Sequence, residues 1–319
     1  MTEQSHSLAG ARIFVVGNIN RDIKTAPLTV QDELFEDGET PVSAIAETVG
    51  GGGANSACAA ARLGAAVAFA GKIGTDSTGD RLAMLLETCG VRGFLTRSHD
   101  VPTGTSINLS FGNGHRHFLS CLPNNTSLQF DDLDLSELSE FRHLLRADIW
   151  FSESMLYGGN EKLFTRAREA GLTTSVDLNW DPQWNRGDDK AIARRKQAVR
   201  DILPLVDVAH GNVAELNRFC DADELAQSLD RLARWGVGST VVHMGSDGAG
   251  FHRNGNLTVE AACPVDRQIH TTGCGDVLSV CMIGLHHRTD PSTQEKLRKA
   301  NAIAASFIEG RLALLPELP

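Results

Sequence analysis

Residues 271–287 read Thr271-Thr272-Gly273-Cys274-Gly275-Asp276-Val277-Leu278-Ser279-Val280-Cys281-Met282-Ile283-Gly284-Leu285-His286-His287. A polar, glycine-rich turn runs directly into a segment, Asp276–His287, that reads as a helix apolar on nearly every side. Such a helix belongs in the interior. The first N–H groups of a helix have no partner within it, and the helix dipole adds partial positive charge at that end. A Gly-x-Gly turn exposes those groups to an anion such as a phosphate. Asp276 falls on the first turn, where a carboxylate either caps the helix or faces the bound group.

Outward from this turn, strand-like and helix-like patterns alternate. Strands are expected over Ala11–Gly17, Val67–Gly71, Ala147–Ser152, Thr173–Asp177, Val206–His210 and Thr240–Met244. Helices are expected over Ala54–Leu63, Gly79–Thr88, Glu161–Ala170, Asp189–Leu203, Asp223–Trp235 and Gln294–Glu309, with Asp221 and Glu224 spaced as a capping box. This alternation predicts an α/β protein with a parallel sheet and helices on both faces. Two stretches, Lys24–Val49 and Thr103–Cys121, lack helical period and carry β-branched residues. They are expected to be antiparallel strands inserted beside the α/β body, where such an insertion often covers a ligand cleft.

A second glycine cluster, Val49-Gly50-Gly51-Gly52-Gly53-Ala54-Asn55-Ser56-Ala57, also leads into a helix. It reads either as a flexible turn or as a backbone cradle that approaches a ligand closely. No Gly-Lys-Ser/Thr follows at P-loop spacing, and neither cluster gives G-x-G-x-x-G. The 319 residues are 41% hydrophobic and 22% charged, with a formal net charge of −10. That balance disfavours general binding to nucleic acid or anionic membrane, while leaving room for a local basic pocket. The seven cysteines include no C-x-x-C pair, which predicts free thiols in a reducing cytoplasm. No run of 18 apolar residues occurs, and Met1–Ala11 has no apolar signal core.

Six segments in order carry a resemblance to the ribokinase-like, PfkB-type family of carbohydrate kinases. They are Gly17-Asn18-Ile19-Asn20-Arg21-Asp22, Gly51 to Ala57, Gly71-Lys72-Ile73-Gly74-Thr75-Asp76, Asn212-Val213-Ala214-Glu215, Gly245-Ser246-Asp247-Gly248-Ala249-Gly250, and His270 to Asp276. The resemblance implies a ribokinase-like three-layer α/β sandwich with a mostly parallel central sheet and a small β-sheet lid. Residues 1–319 would form one kinase domain, with the lid at about 24–49 and 103–121.

The same resemblance implies ATP-dependent phosphorylation of a sugar or sugar-derived alcohol. Asp276 would be the general base, and the N–H groups of Gly273, Cys274 and Gly275 would hold the transferring phosphoryl. Asn212 and Glu215 would arrange Mg²⁺ through water together with the ATP phosphates, and Gly245, Gly248 and Thr272 would contact the nucleotide. Asn20, Asp22, Gly51, Gly52, Asn55 and Glu153 would contact the sugar. Three departures from the family pattern stand out. His270 replaces the Asp that helps bind an activating monovalent cation, Cys274 replaces an Ala, and Gly52 stands where ribokinases often have Lys. The first predicts little dependence on K⁺, and the last leaves ribose unassumed. A homodimer through the lid is the one protein partner the resemblance suggests. A nucleoside kinase on the same scaffold and a sugar-responsive binding protein without turnover are the alternatives. Trp180 and Trp184 read as packing residues, and His115 and His117 as one face of a solvated lid strand.

Overall fold

Strand β1 (Arg12–Val16) is apolar at four successive positions because both of its faces are covered. Ile13 and Val15 join one hydrophobic core, and Phe14 and Val16 join a second on the opposite face. This computed structural model describes residues 7–29, 37–112, 116–269, 272–286 and 288–318. After β1 come β2 (Asn20–Thr25), β3 (Ile45–Gly50), α1 (Gly52–Arg62), β4 (Ala66–Gly74), α2 (Ser77–Thr88), β5 (Val91–Ser98), β6 (Thr105–Ser110) and β7 (Arg116–Cys121). The short α3 (Pro123–Thr126), β8 (His143–Arg146), α4 (Asn160–Glu169), β9 (Thr173–Asp177), α5 (Asp189–Ile202), β10 (Val208–Asn212), α6 (Val213–Cys220) and α7 (Leu225–Arg234) follow. The remaining elements are β11 (Ser239–His243), β12 (Ala249–Arg253), β13 (Asn256–Glu260), α8 (Cys274–His286) and α9 (Thr293–Ile308).

Nine strands form the central sheet in the order β13-β12-β11-β10-β9-β8-β1-β4-β5. Pairing is parallel from β11 through β5, and β12 and β13 close one edge antiparallel. Helices α1, α2, α8 and α9 cover the Ile13 face, and α4 to α7 cover the Phe14 face. The three layers are those expected. From β1 the chain builds outward through β4 and β5, then returns to β8 on the other side of β1 and builds the opposite way. The order reverses between β1 and β8, so the crevice at their carboxyl ends is where such a sheet receives ligands.

A separate four-stranded sheet has the order β3-β2-β6-β7. It starts at Asn20, earlier than the Lys24 expected from sequence. It is also not wholly antiparallel, because β2 and β6 run parallel. Three further expectations are corrected. The strand placed at Ala147–Ser152 lies at His143–Arg146, and Asp148 ends the extended run with a left-handed backbone (φ 55°). Helix α7 begins at Leu225 after Glu224, whose side chain makes no capping bond. Asp221, assigned to that cap, instead closes α6 in a left-handed conformation. The β12–β13 hairpin was not anticipated.

Part of the glycine cluster has a packing explanation. Gly17, just past β1, and Gly53, on the first turn of α1, lie back to back. A Cβ on Gly53 would come within 2.6 Å of the Gly17 Cα, closer than packed carbons ever sit, and the obstacle is backbone. Gly53→Ala should therefore push α1 off the end of β1 and destabilise the protein by roughly 1–3 kcal/mol. Gly93→Ala is the control, since its Cβ would meet Leu95 at an ordinary 3.8 Å. Urea unfolding of both variants checks this. Equal midpoints would show that α1 shifts without penalty.

Candidate active site

Asp148 stands at the reversal point and holds the crevice together. One carboxylate oxygen accepts from the N–H of Asn18 (3.0 Å) and of Gly53 (2.8 Å). The other accepts from Gly52 N–H (3.2 Å) and from Asn179 Nδ2 (3.3 Å). The amino end of α1 is thus occupied by a carboxylate of the protein itself. Burial raises the Asp148 carboxyl above its usual range, while the three N–H donors and Arg146 pull it back down.

The amino end of α8 is arranged differently. Gly273 takes φ 86° and the helix starts at Cys274. The N–H groups of its first turn have no intrahelical partners. Asp276 lies on that turn, yet its carboxylate accepts from Asn55 Nδ2 of α1 at 3.1 Å. Burial pushes its carboxyl far above the usual range; Asp148, Glu215 and Asp22 add to the rise, and Asn55 opposes it. Burial likewise lifts the Cys274 thiol to about 11. His243, at the end of β11, lies against this turn. Its Nδ1 would be 3.1 Å from a Cβ on Gly275, and burial pushes the imidazole down to about 4, so it is neutral.

Asn212 and Glu215 form a reciprocal capping box at the start of α6. Asn212 Oδ1 accepts from Glu215 N–H (2.9 Å) and Glu215 Oε2 accepts from Asn212 N–H (2.8 Å). Burial raises the Glu215 carboxyl. Asp177, at the end of β9, is raised strongly, first by burial and then by Glu215, Asp276 and Asp148. Four carboxylates from the ends of β8, β9 and β10 and the start of α8 therefore repel one another in one region. Among the described residues no three ligating side chains are close enough to cage a metal directly.

On the second sheet, Asn20 and Asp22 share a face of β2, and Asn20 Nδ2 donates to Asp22 Oδ1 at 2.7 Å. Burial pushes the Asp22 carboxyl up to about 6, outweighing the lowering by Lys24 and Asn20. Asn55 Oδ1, Asn108 Oδ1 and Asn125 Nδ2 are buried with no hydrogen-bond partner among the described residues. Buried polar atoms of this kind are costly unless a ligand or water meets them.

The remaining predicted residues fall as follows. Gly51 takes φ 91°, and a Cβ there would lie 2.4 Å from the Asn18 carbonyl oxygen. The Gly52 N–H is used by Asp148. Gly245 and Gly248 flank the turn after β11, both with positive φ, and Gly248 would meet the Glu260 carbonyl oxygen at 2.1 Å if it carried a Cβ. The Thr272 hydroxyl accepts from Arg116 Nη1 of β7 at 2.6 Å. Glu153 is not brought to this cluster. Its side chain is 78% exposed and sits 3.7 Å from Arg195. His270 and His115 lie outside the described residues, whereas His117 is exposed on β7. Trp184 packs edge-on against Trp150 and Trp180, as expected of packing residues. Asp148, Asp177, Asn108 and Asn125 were missed. For Asp148 the signal was weak: the strand before it is His143-Leu144-Leu145-Arg146, whose two polar residues hide a fully buried strand.

Known proteins resemble this chain over most of its length. Residues 11–317 match the profile of the pfkB family carbohydrate kinases. A ribokinase of Arabidopsis thaliana is 25% identical over 321 residues, covering 96% of this chain and 78% of that protein. A fructokinase of Vibrio alginolyticus is 25% identical over 250 residues, covering 76% of this chain and 77% of that protein. Among solved structures, a candidate ribokinase II of E. coli in complex with ATP and Mg²⁺ superposes with a TM-score of 0.79. It is 20% identical and covers 94% of this chain and 93% of that one.

The raised Asp22 carboxyl has a consequence for stability. The folded protein holds this proton up to about pH 6, whereas the unfolded chain releases it near the ordinary value of 3.8. The fold thus binds more protons than the unfolded chain between about pH 4 and 6. Stability should fall across that window as pH rises, by on the order of 2–3 kcal/mol, and stay low above it. Asp22→Asn should flatten this slope and raise the urea midpoint at pH 7.5 in the absence of ligand. An unchanged slope between pH 4 and 6 would mean that Asp22 ionises normally.

Proposed function

The chain belongs to the pfkB family of carbohydrate kinases, and we propose that Asp276 is the base that activates the acceptor hydroxyl of a sugar or sugar-derived alcohol. The enzyme is an ATP-dependent carbohydrate kinase of the ribokinase type. The observation that carries the base assignment is the Asn55–Asp276 hydrogen bond, which ties the carboxylate to the crevice instead of to its own helix.

In this reading the sugar lies between the second sheet and the carboxyl ends of β1 and β8. Asn20, Asp22 and Asn55 offer it donors and acceptors, and the unpartnered Asn55 Oδ1 gains one. Asp276 accepts the proton of the attacking hydroxyl and keeps it while the phosphoryl group moves. The charge on the transferring group meets the N–H groups of Gly273, Cys274 and Gly275, with the α8 dipole behind them. The rise of the Asp276 carboxyl comes from burial beside other carboxylates, and Asp276 serves as the base in its ionised form.

The donor set also fits Mg²⁺. Glu215 accepts from the backbone of Asn212 and of Trp180, and a cation beside the crowded carboxylates around Asp177 would favour their ionised forms. Asn212 and Glu215 would hold Mg²⁺ through water, and the bound ion would neutralise phosphate charge. Gly245, Gly248 and Thr272 would line the nucleotide.

The chain in this reading is one kinase domain, and its second sheet is a lid that excludes water during transfer. All six residues of β7 are exposed, including Phe118 and Leu119, which gives a second copy a surface to pair with. A consumer of ATP with seven free cysteines belongs in a reducing compartment, the cytoplasm.

Asp276→Asn should fold normally and lose roughly 10²–10⁴ in kcat, followed as ADP release with the preferred sugar. Retention of more than about a tenth of wild-type turnover would remove Asp276 from the base role. Replacing K⁺ by tetramethylammonium at fixed ionic strength should change the wild-type rate by less than about twofold, because an imidazole at position 270 supplies no hard anionic oxygen. Strong activation by K⁺ would show that other groups build the cation site.

A further inference from the structure

We propose that the acceptor sugar carries an anionic group of its own, a carboxylate or a phosphate ester, and that Lys24 and Arg116 of the second sheet bind it. This rests on the kinase reading above and names the substrate class of that site.

Lys24 shares the face of β2 that carries Asn20 and Asp22. Its ammonium makes no hydrogen bond to any described residue and no ion pair within 4.0 Å, although it is only partly exposed. The charges that face it are Asp22 on its own strand, Glu317 and Arg116. Arg116 belongs to the same face of the sheet: Lys24 lies opposite Asn108 of β6, and Ser110, two residues on, lies opposite Arg116 of β7. Arg116 donates to the Thr272 hydroxyl at 2.6 Å and makes no ion pair with a described carboxylate. Two like charges are therefore brought to one face, beside the turn that carries Asp276, without a bonded counter-ion among the described residues.

Asp22 and Glu317 offset part of this charge but bond neither cation. Placing a half-buried ammonium near a guanidinium costs free energy that hydroxyl groups offset poorly. A carboxylate or phosphate ester would neutralise both cations and accept charge-assisted hydrogen bonds from them. Room exists for such a group. A cavity of about 620 Å³ has Lys24, Thr48, Arg62, Thr88, Thr272 and Glu317 among its lining residues, and Thr272 carries the bond to Arg116. The amino end of α8 is reserved for the transferring phosphoryl, so the second anion needs its own cations.

The test measures binding by calorimetry without ATP, and turnover by ADP release, for three sets of compounds: neutral pentoses and hexoses, sugar monophosphates, and aldonic and ketoaldonic acids. One of the two anionic sets should bind and turn over, and which one responds distinguishes phosphate from carboxylate. Lys24→Met and Arg116→Gln should each weaken that binding about tenfold or more, raise its KM in parallel, and leave kcat and the KM for ATP within about threefold. Arg116→Lys should recover part of the loss. The proposal is overturned by a neutral sugar that binds as tightly as the best anion, by variants that bind the anion as the wild type does, or by no anion binding at all. A fall in kcat with every substrate would also overturn it, since Arg116 would then serve the transferring phosphoryl. Anion binding that the variants lose, with no ADP released from any set, would uphold this proposal and sink the kinase reading instead.

Discussion

The carboxylate of Asp148 is the constraint on which the site depends. It accepts from three backbone N–H groups that belong to the end of β1 and the start of α1, and it hangs from the end of β8. Two strands and a helix, up to 130 residues apart in sequence, are fixed to one pair of oxygens. The backbone at Asp148 is left-handed, which Asp tolerates better than most residues. With α1 fixed, Asn55 on its first turn is fixed, and Asn55 in turn holds Asp276. The proposed base is therefore positioned by a relay that begins at the point where strand order reverses.

This relay also separates two helix ends that look alike in sequence. Both α1 and α8 follow glycine-rich turns, and both present unpaired N–H groups with positive dipole ends. Asp148 fills the first from within, whereas the amino end of α8 is the one proposed to meet the transferring phosphoryl. The cost appears in the carboxylates. Asp22, Asp148, Asp177, Glu215 and Asp276 are all raised above their usual range, with burial as the largest cause in each. Evolution for stability alone would replace some of them. In the proposed reaction the site binds a cation with its nucleotide and takes up a proton, and it would gain from these carboxylates when ligands arrive.

Much of this was legible in sequence, and the failures have physical causes. The 271–276 turn and the apolar run after it pointed to the fold, because a buried helix behind an anion-binding turn restricts the architecture strongly. The alternation of periods located most strands and helices to within a few residues. The strand before Asp148 was misplaced because His143 and Arg146 break its apolar pattern, although 143–150 are all buried, in the strand and in the packed turn after it alike. Hydrophobicity cannot separate the two. That one shift led to Glu153 being chosen as the carboxylate at the strand end and Asp148 being passed over. The parallel pairing of β2 with β6 had no local signal, since it joins segments about 80 residues apart.

The second sheet shows why distant pairing matters for chemistry. Its β3 edge is closed by the segment around Pro316–Leu318: Val49 N–H donates to Pro316, Leu318 N–H donates to Glu47, and Thr48 bridges to Glu317. A sheet edge left open invites pairing with another chain, and covering it removes that hazard on this side. The same contact brings Glu317 to the cavity that Lys24 and Thr48 line, while the β6–β7 hairpin brings Arg116 to Thr272. The polar lining of the cavity is thus assembled from separate stretches of chain: β2, β3, the ends of α1 and α2, the Thr272 turn and residue 317. None of them carries a binding motif alone. Residues that set how a site discriminates among substrates can in this way be dispersed, even where the turn that does the chemistry is contiguous and readable.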